Sequence, residues 1–241
     1  MRILKKLNSR TGSCSGSCRS QILWVTFTLL CASDAGELDI DKASSKIRRF
    51  CSDVIYSVGV GDTRRLSYRM PEKIGVKIVS DQGFEGGIRK HLDKFCVTTG
   101  VTIIDKAGDG DTILSVYHLP KEKLVDIAKE LSREITIDRG FSYWVWWEDG
   151  DRSVSKAVIF LASDSLAGKN LEDKLIEQLL GVFGLPSLSD EFDESCMAMN
   201  ETLLVELQPI DLRLLEFFYK NIPAGTRPRE FDAIFREKWA N

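Results

Sequence analysis

From Lys73 onward the chain switches repeatedly between two apolar periods, and that exchange limits what it can fold into. Ile74, Val76 and Ile78 alternate as a strand does, and the run closes at Asp81–Gly83. Ile88, Leu92 and Phe95 then recur at helical spacing until Gly100. Val101–Ile104 predicts a short strand, 108–111 a turn, and Thr112–Tyr117 another strand. Pro120 opens a helix whose face is Leu124, Ala128, Leu131 and Ile135. Phe141–Trp147 and Val154–Leu161 read as strands joined by the turn residues Glu148–Asp151, a hairpin signal. Leu171–Phe183 is a strongly apolar helix stopped by Gly184 and Pro186. Two more helices, Pro209–Lys220 and Pro228–Trp239, complete the chain. This order predicts an α+β fold, a twisted sheet packed by helices with a mostly helical C-terminal part.

The N-terminus reads as a targeting segment. Residues 1–20 carry five basic side chains and no acidic one, and the apolar run Ile22–Ala32 follows. Small residues come next, with Ala32 and Ala35 as cleavage points, which is the order of a secretory signal peptide. A bilayer span takes about 20 residues, so no stable membrane span is expected once the leader is gone. An uncleaved signal anchor is the competing reading. Cys31 follows Thr28, Leu29 and Leu30, which is not a lipobox. The organisation expected is a signal peptide over 1–35, a helical extension over 36–63 and a single domain over 64–241. The extension's helix runs over Ser44–Ser57 with Ile47, Phe50 and Val54 on one face, and Gly59 and Gly61 end it.

Charge and cysteines narrow the function further. Losing 1–35 removes five basic residues and Asp34, leaving 28 basic against 35 acidic, a net charge of −7. A mildly acidic chain without a basic stripe argues against nucleic acid as partner and against a polybasic membrane contact. Cys51, Cys96 and Cys196 remain after the leader. In an oxidising compartment Cys51 and Cys196 can pair, with Cys96 a buried thiol inside a helical pattern.

Most familiar catalytic layouts are missing from the sequence. No G-x-S-x-G elbow accompanies the loop serines Ser163, Ser165, Ser187 and Ser189, and neither Gly59–Gly61 nor Gly83–Gly87 forms a nucleotide loop. Asp105, Asp109 and Asp111 lack the glutamate that completes an EF-hand, and the glycines among them favour a turn. His91 and His118, the two histidines of the chain, have no partner at i+4; His91 is expected at a helix surface and His118 at a strand end. The strand Phe141–Trp147 is apolar on both faces. Phe141, Tyr143, Val145 and Trp147 share one side, and Trp144 and Trp146 share the other. A core strand covered on both faces is the simpler reading, and an edge strand that captures an extended peptide is the functional one.

One helix does carry a familiar frame. Glu177, Gln178, Gly181, Gly184 and Ser187 stand at the spacing of H-E-x-x-H-x-x-G-x-x-H, with Gly184 on its glycine. Two imidazoles at i and i+4 share a helical face and converge on zinc, while the adjacent glutamate takes a proton from the bound water. Here the imidazole positions hold Glu177, Gly181 and Ser187, and the glutamate position holds Gln178. Gly181 has no ligand atom and Gln178 accepts no proton at neutral pH. A zinc peptidase is therefore not expected, and neither a metal nor another cofactor is.

The wider chain resembles a bacterial family of exported proteins, the domain of unknown function 2927. That family looks like zincins with an eroded site, roughly E-E-x-x-Q-x-L-G-L-P-N-D. The resemblance runs from about Phe50 to the C-terminus, through Thr99-Gly100, Lys156–Ile159, Gly184–Pro186, Asp190, Leu207–Asp211, Tyr219 and Gly225. Departures are Gln178 for the second glutamate, Gly181 for the glutamine, and Ser187-Leu188 for Asn-Asp. The resemblance implies a zincin-like fold and a periplasmic or secreted pseudoenzyme. Its expected role is to bind or scaffold a protein or peptide partner. The space left by Gly181 predicts a small cleft beside Glu177 and Gln178, bounded by Gly184, Ser187 and Asp190. The alternative is a metal-independent hydrolase that uses Glu177 with Asp190 or Glu191 as acid and base.

Overall fold

The computed structural model describes residues 2–3, 44–56, 66–81, 83–104, 112–132, 135–137, 139–147, 152–200 and 202–239. The rest of the expected leader, the cysteines in it, the glycines at 59 and 61, the aspartates at 105, 109 and 111, and the hairpin turn at 148–151 lie outside these residues.

The elements are β1 (Arg2–Ile3), α1 (Ser45–Ile55), β2 (Lys73–Ser80), α2 (Glu85–Thr99), β3 (Thr102–Ile104) and β4 (Thr112–Leu119). They continue with α3 (Lys121–Leu131), β5 (Phe141–Trp147), β6 (Val154–Ala162), α4 (Gly168–Val182), α5 (Pro209–Asn221) and α6 (Pro228–Lys238). Five main strands form a mixed sheet in the order β5-β6-β4-β2-β3, and two-residue β1 lies outside β5. β6, β4, β2 and β3 run parallel, and β5 runs antiparallel to β6. This is an α+β arrangement. No helix among the described residues is long and apolar enough to cross a membrane.

Local chemistry sets the element ends. The Ser44 hydroxyl accepts from the Ile47 amide at 3.1 Å and caps α1. Gly100 ends α2 at φ +75°, the left-handed geometry that glycine tolerates best. Pro209 and Pro228 sit in the first turns of α5 and α6, where a missing N–H costs nothing. The Gln208 amide donates to the Asp211 carboxylate at 3.0 Å. Asp211 also accepts from the Ser195 hydroxyl at 2.5 Å and the Cys196 amide at 3.0 Å, tying loop 189–200 to α5. Burial pushes this carboxyl upward while those donors pull it down, and the balance leaves it above the ordinary value.

Two apolar layers follow from the sheet's alternation. On one face Tyr143, Val145 and Trp147 join Ala157, Ile159 and Leu161 beneath α2 and α4; on the other, Trp144, Trp146, Val158 and Phe160 pack with α3. Tyr143 through Trp147 are all buried, so β5 is the doubly covered strand its composition suggests. α1 contributes Ile47, Phe50, Cys51 and Val54 to the larger core, each fully buried.

Three expectations are corrected. His91 is buried, not at the surface, with Nε2 3.8 Å from Glu172 of α4. Its position flanks the Ile88–Leu92 stripe, and the packing of α2 on α4 widens that stripe to include it. Ile135 lies beyond α3, which ends at Leu131, yet it returns to the same layer in extended chain. Cys51 and Cys196 are free: Cys51 is enclosed in the core, whereas the Cys196 thiol donates to the Glu206 carbonyl at 3.2 Å.

Candidate functional site

α4 positions Glu177, Gln178 and Gly181, and Gly184 and Ser187 follow its end. Leu171, Leu175, Ile176, Leu179 and Leu180 bury the helix, and Gly184 at φ +101° turns the chain away from it. The Leu185 amide reaches back to the Leu180 carbonyl at 2.9 Å, closing a Schellman end. A side chain on Gly184 would strike the Tyr68 carbonyl and stand 2.8 Å from the Phe218 ring, so close approach and backbone angle both require glycine.

The space expected at Gly181 is occupied. A Cβ on Gly181 would collide with the Tyr143 ring and stand 2.9 Å from its hydroxyl oxygen. Alternation on β5 aims Tyr143 at α4, and the ring takes the volume where an imidazole would stand. Tyr68 closes the position from another side. Its hydroxyl donates to the Gly181 carbonyl at 2.6 Å, and it shares a hydrogen bond with the Tyr143 hydroxyl. Burial raises both phenols, so both keep their protons at neutral pH.

The polar residues of the motif are held in ways that do not suit catalysis. Lys174 binds Glu177 at 2.9 Å and Asp173 at 3.1 Å, and its ammonium lies 5.4 Å from the Phe141 ring centroid. Burial alone would lower the Lys174 pKa, but the two carboxylates overcome it and hold it above the ordinary value. Gln178 is fully buried, and neither of its amide atoms has a hydrogen-bond partner among the described residues. Such a group costs the fold about 1–3 kcal/mol, and it accepts no proton. The Ser187 amide donates to the Val54 carbonyl at 3.3 Å, fixing that residue against α1. A glycine, a buried amide, a serine and a lysine-bound glutamate do not fit zinc.

Family models, curated proteins and solved structures give no match to this chain, so its own residues carry the case for any function.

Asp190 belongs to a different cluster from Glu177. Its carboxylate gathers with those of Asp53 and Glu191, all within 4.8 Å of one another. Arg49 binds Glu191 at 2.8 Å, and the Ser189 hydroxyl donates to Asp53 at 3.3 Å. Burial, then the neighbouring Glu191 and Asp190 charges, raise Asp53. The cluster fastens α1 to loop 189–200, and exposed acidic groups adopt such spacing without an ion. Sequence reasoning missed the tyrosine pair. Alternation did place Tyr143 on one face of β5, but no pattern in the sequence flags Tyr68.

Proposed function

We propose that this chain is an exported, zincin-like domain that has lost metal chemistry and acts by binding or scaffolding a protein or peptide partner. Two features support the zincin-like part of the reading. One is the retained glycine turn at Gly184. The other is the antiparallel strand β5 lying beside the motif helix, where a zincin-like fold keeps the strand that lines its cleft. The resemblance to the domain of unknown function 2927 points the same way.

The observation that carries the loss of chemistry is the packing of Tyr143 on Gly181. A site that once held an imidazole and a water needs open volume at that turn of the helix; a buried ring with a bonded hydroxyl leaves none. The metal-independent hydrolase has no supporting observation, because Glu177 is bound by Lys174 and lies outside the acidic cluster of Asp190.

Metal analysis of the purified chain after dialysis against micromolar zinc tests the reading. The expected content is far below one ion per chain. Stoichiometric zinc that disappears in Glu177→Ala would overturn it, as would a peptidase or esterase activity abolished by that variant. N-terminal sequencing of protein recovered from the periplasm or medium tests the export step.

A further inference from the structure

A groove of about 630 Å³ opens on the other side of the segment that carries Tyr68. Arg69 bridges in the parallel sense to Ser153, just before β6. Tyr68 and Met70 are buried and Arg69 between them is half-buried, and Arg69 and Met70 both line the groove. Glu72 and Lys73 follow on the same wall, and Thr99 and Gly100 come from the end of α2 and Tyr219 from α5.

Arg69 is anchored at two points. Its carbonyl accepts from the Val154 amide at 3.0 Å, and its Nη1 donates to the Tyr219 carbonyl at 3.0 Å. Tyr219 is itself fixed, since its hydroxyl accepts from the Met70 amide at 3.1 Å and donates to the Phe183 carbonyl at 3.0 Å. Holding one corner of the guanidinium leaves its remaining N–H donors in a preset orientation, the arrangement that suits a carboxylate or phosphate. Lys73 is exposed and adds a second positive charge to the wall. Glu72 supplies an opposing charge, which gives the groove a sign test of its own.

We propose that this groove binds a small anionic ligand bearing a carboxylate or phosphate group, held chiefly by Arg69 and assisted by Lys73. The proposal does not depend on the zincin-like reading, because none of these residues belongs to the eroded motif.

The test is a titration of the full chain, labelled with nitrogen-15, at constant ionic strength set with chloride. Inorganic phosphate and acetate are added in separate arms. Saturable shifts of the Gly100, Thr102 and Arg69 amides are expected in at least one arm, and the stronger arm identifies the headgroup. Arg69→Gln should weaken that binding about tenfold and Lys73→Gln about threefold, whereas Glu72→Gln should tighten it. Lys73 and Glu72 are exposed, so their variants keep the test valid if Arg69→Gln fails to fold. Shifts absent from both arms, shifts linear in added salt, or affinities indifferent to Lys73→Gln and Glu72→Gln would overturn the proposal.

Discussion

Gly181→Ala should destabilise this protein, although the same exchange in an exposed helix is favourable. Helix propensity alone would contribute about 1 kcal/mol in favour of alanine. Against that stands the new methyl group, which would overlap the Tyr143 ring. The ring has little room to withdraw: it is 4% exposed, its hydroxyl is bonded to Tyr68, and its backbone is registered against Ile159 of β6. Overpacking of this kind costs about 1–3 kcal/mol, and a rigid neighbour puts the cost at the upper end. The net expectation is a loss of about 1–2 kcal/mol, which for a chain of this size lowers Tm by about 3–6 °C. Thermal and urea unfolding followed by circular dichroism measure it. In a Tyr143→Leu background the clash disappears, so Gly181→Ala should there be neutral or stabilising. A single variant as stable as the parent would mean that the volume beside Gly181 is open, and the sealed-site reasoning would fail.

Two further outcomes are expected. Burial lowers the pKa of His91 against the opposing pull of Glu172, and burial likewise lowers His118 against Asp81. A depressed imidazole is neutral in the fold, so the unfolded chain binds protons first on acidification. Stability is therefore full above the unfolded value of about 6.5 and declines as pH falls below it. His91→Gln and His118→Gln should each flatten the decline of urea midpoints over that window, and slopes identical to the parent would contradict the assignment. The second outcome concerns the thiols. Cys51, Cys96 and Cys196 should resist alkylation in the folded protein, since burial raises all three and holds Cys96 at about 11. All three should alkylate after unfolding without reductant; a pair that stays blocked would establish a disulfide.

The sequence located elements far better than it located the site. Periodicity is a local property, so β2, α2, β5 and β6 fall where alternation and helical spacing place them. α4 begins at Gly168, earlier than its apolar pattern, because its first turn is exposed and carries no stripe. Boundaries fail where tertiary packing takes over: Ile135 keeps the helical spacing of α3 but reaches the core after the helix has ended. The motif was legible as an absence of ligands, which is a matter of residue identity alone. What packs on Gly181 was not legible, because Tyr68 lies more than a hundred residues from Gly181 and no spacing rule joins them. The thiols show the same limit, since the residues alone leave a Cys51–Cys196 pairing open, whereas both cysteines are free in the fold.

The stretch from Ser67 to Met70 is a party wall between two rooms. Tyr68 closes the motif from one side, and Arg69, one residue later, faces the other. Pulling that stretch loose would free the guanidinium and unseat the phenol together. Any molecule gripping Arg69 would thus tighten the end of α4 as well, and a protease or a denaturant would find the two harder to open when the wall is braced.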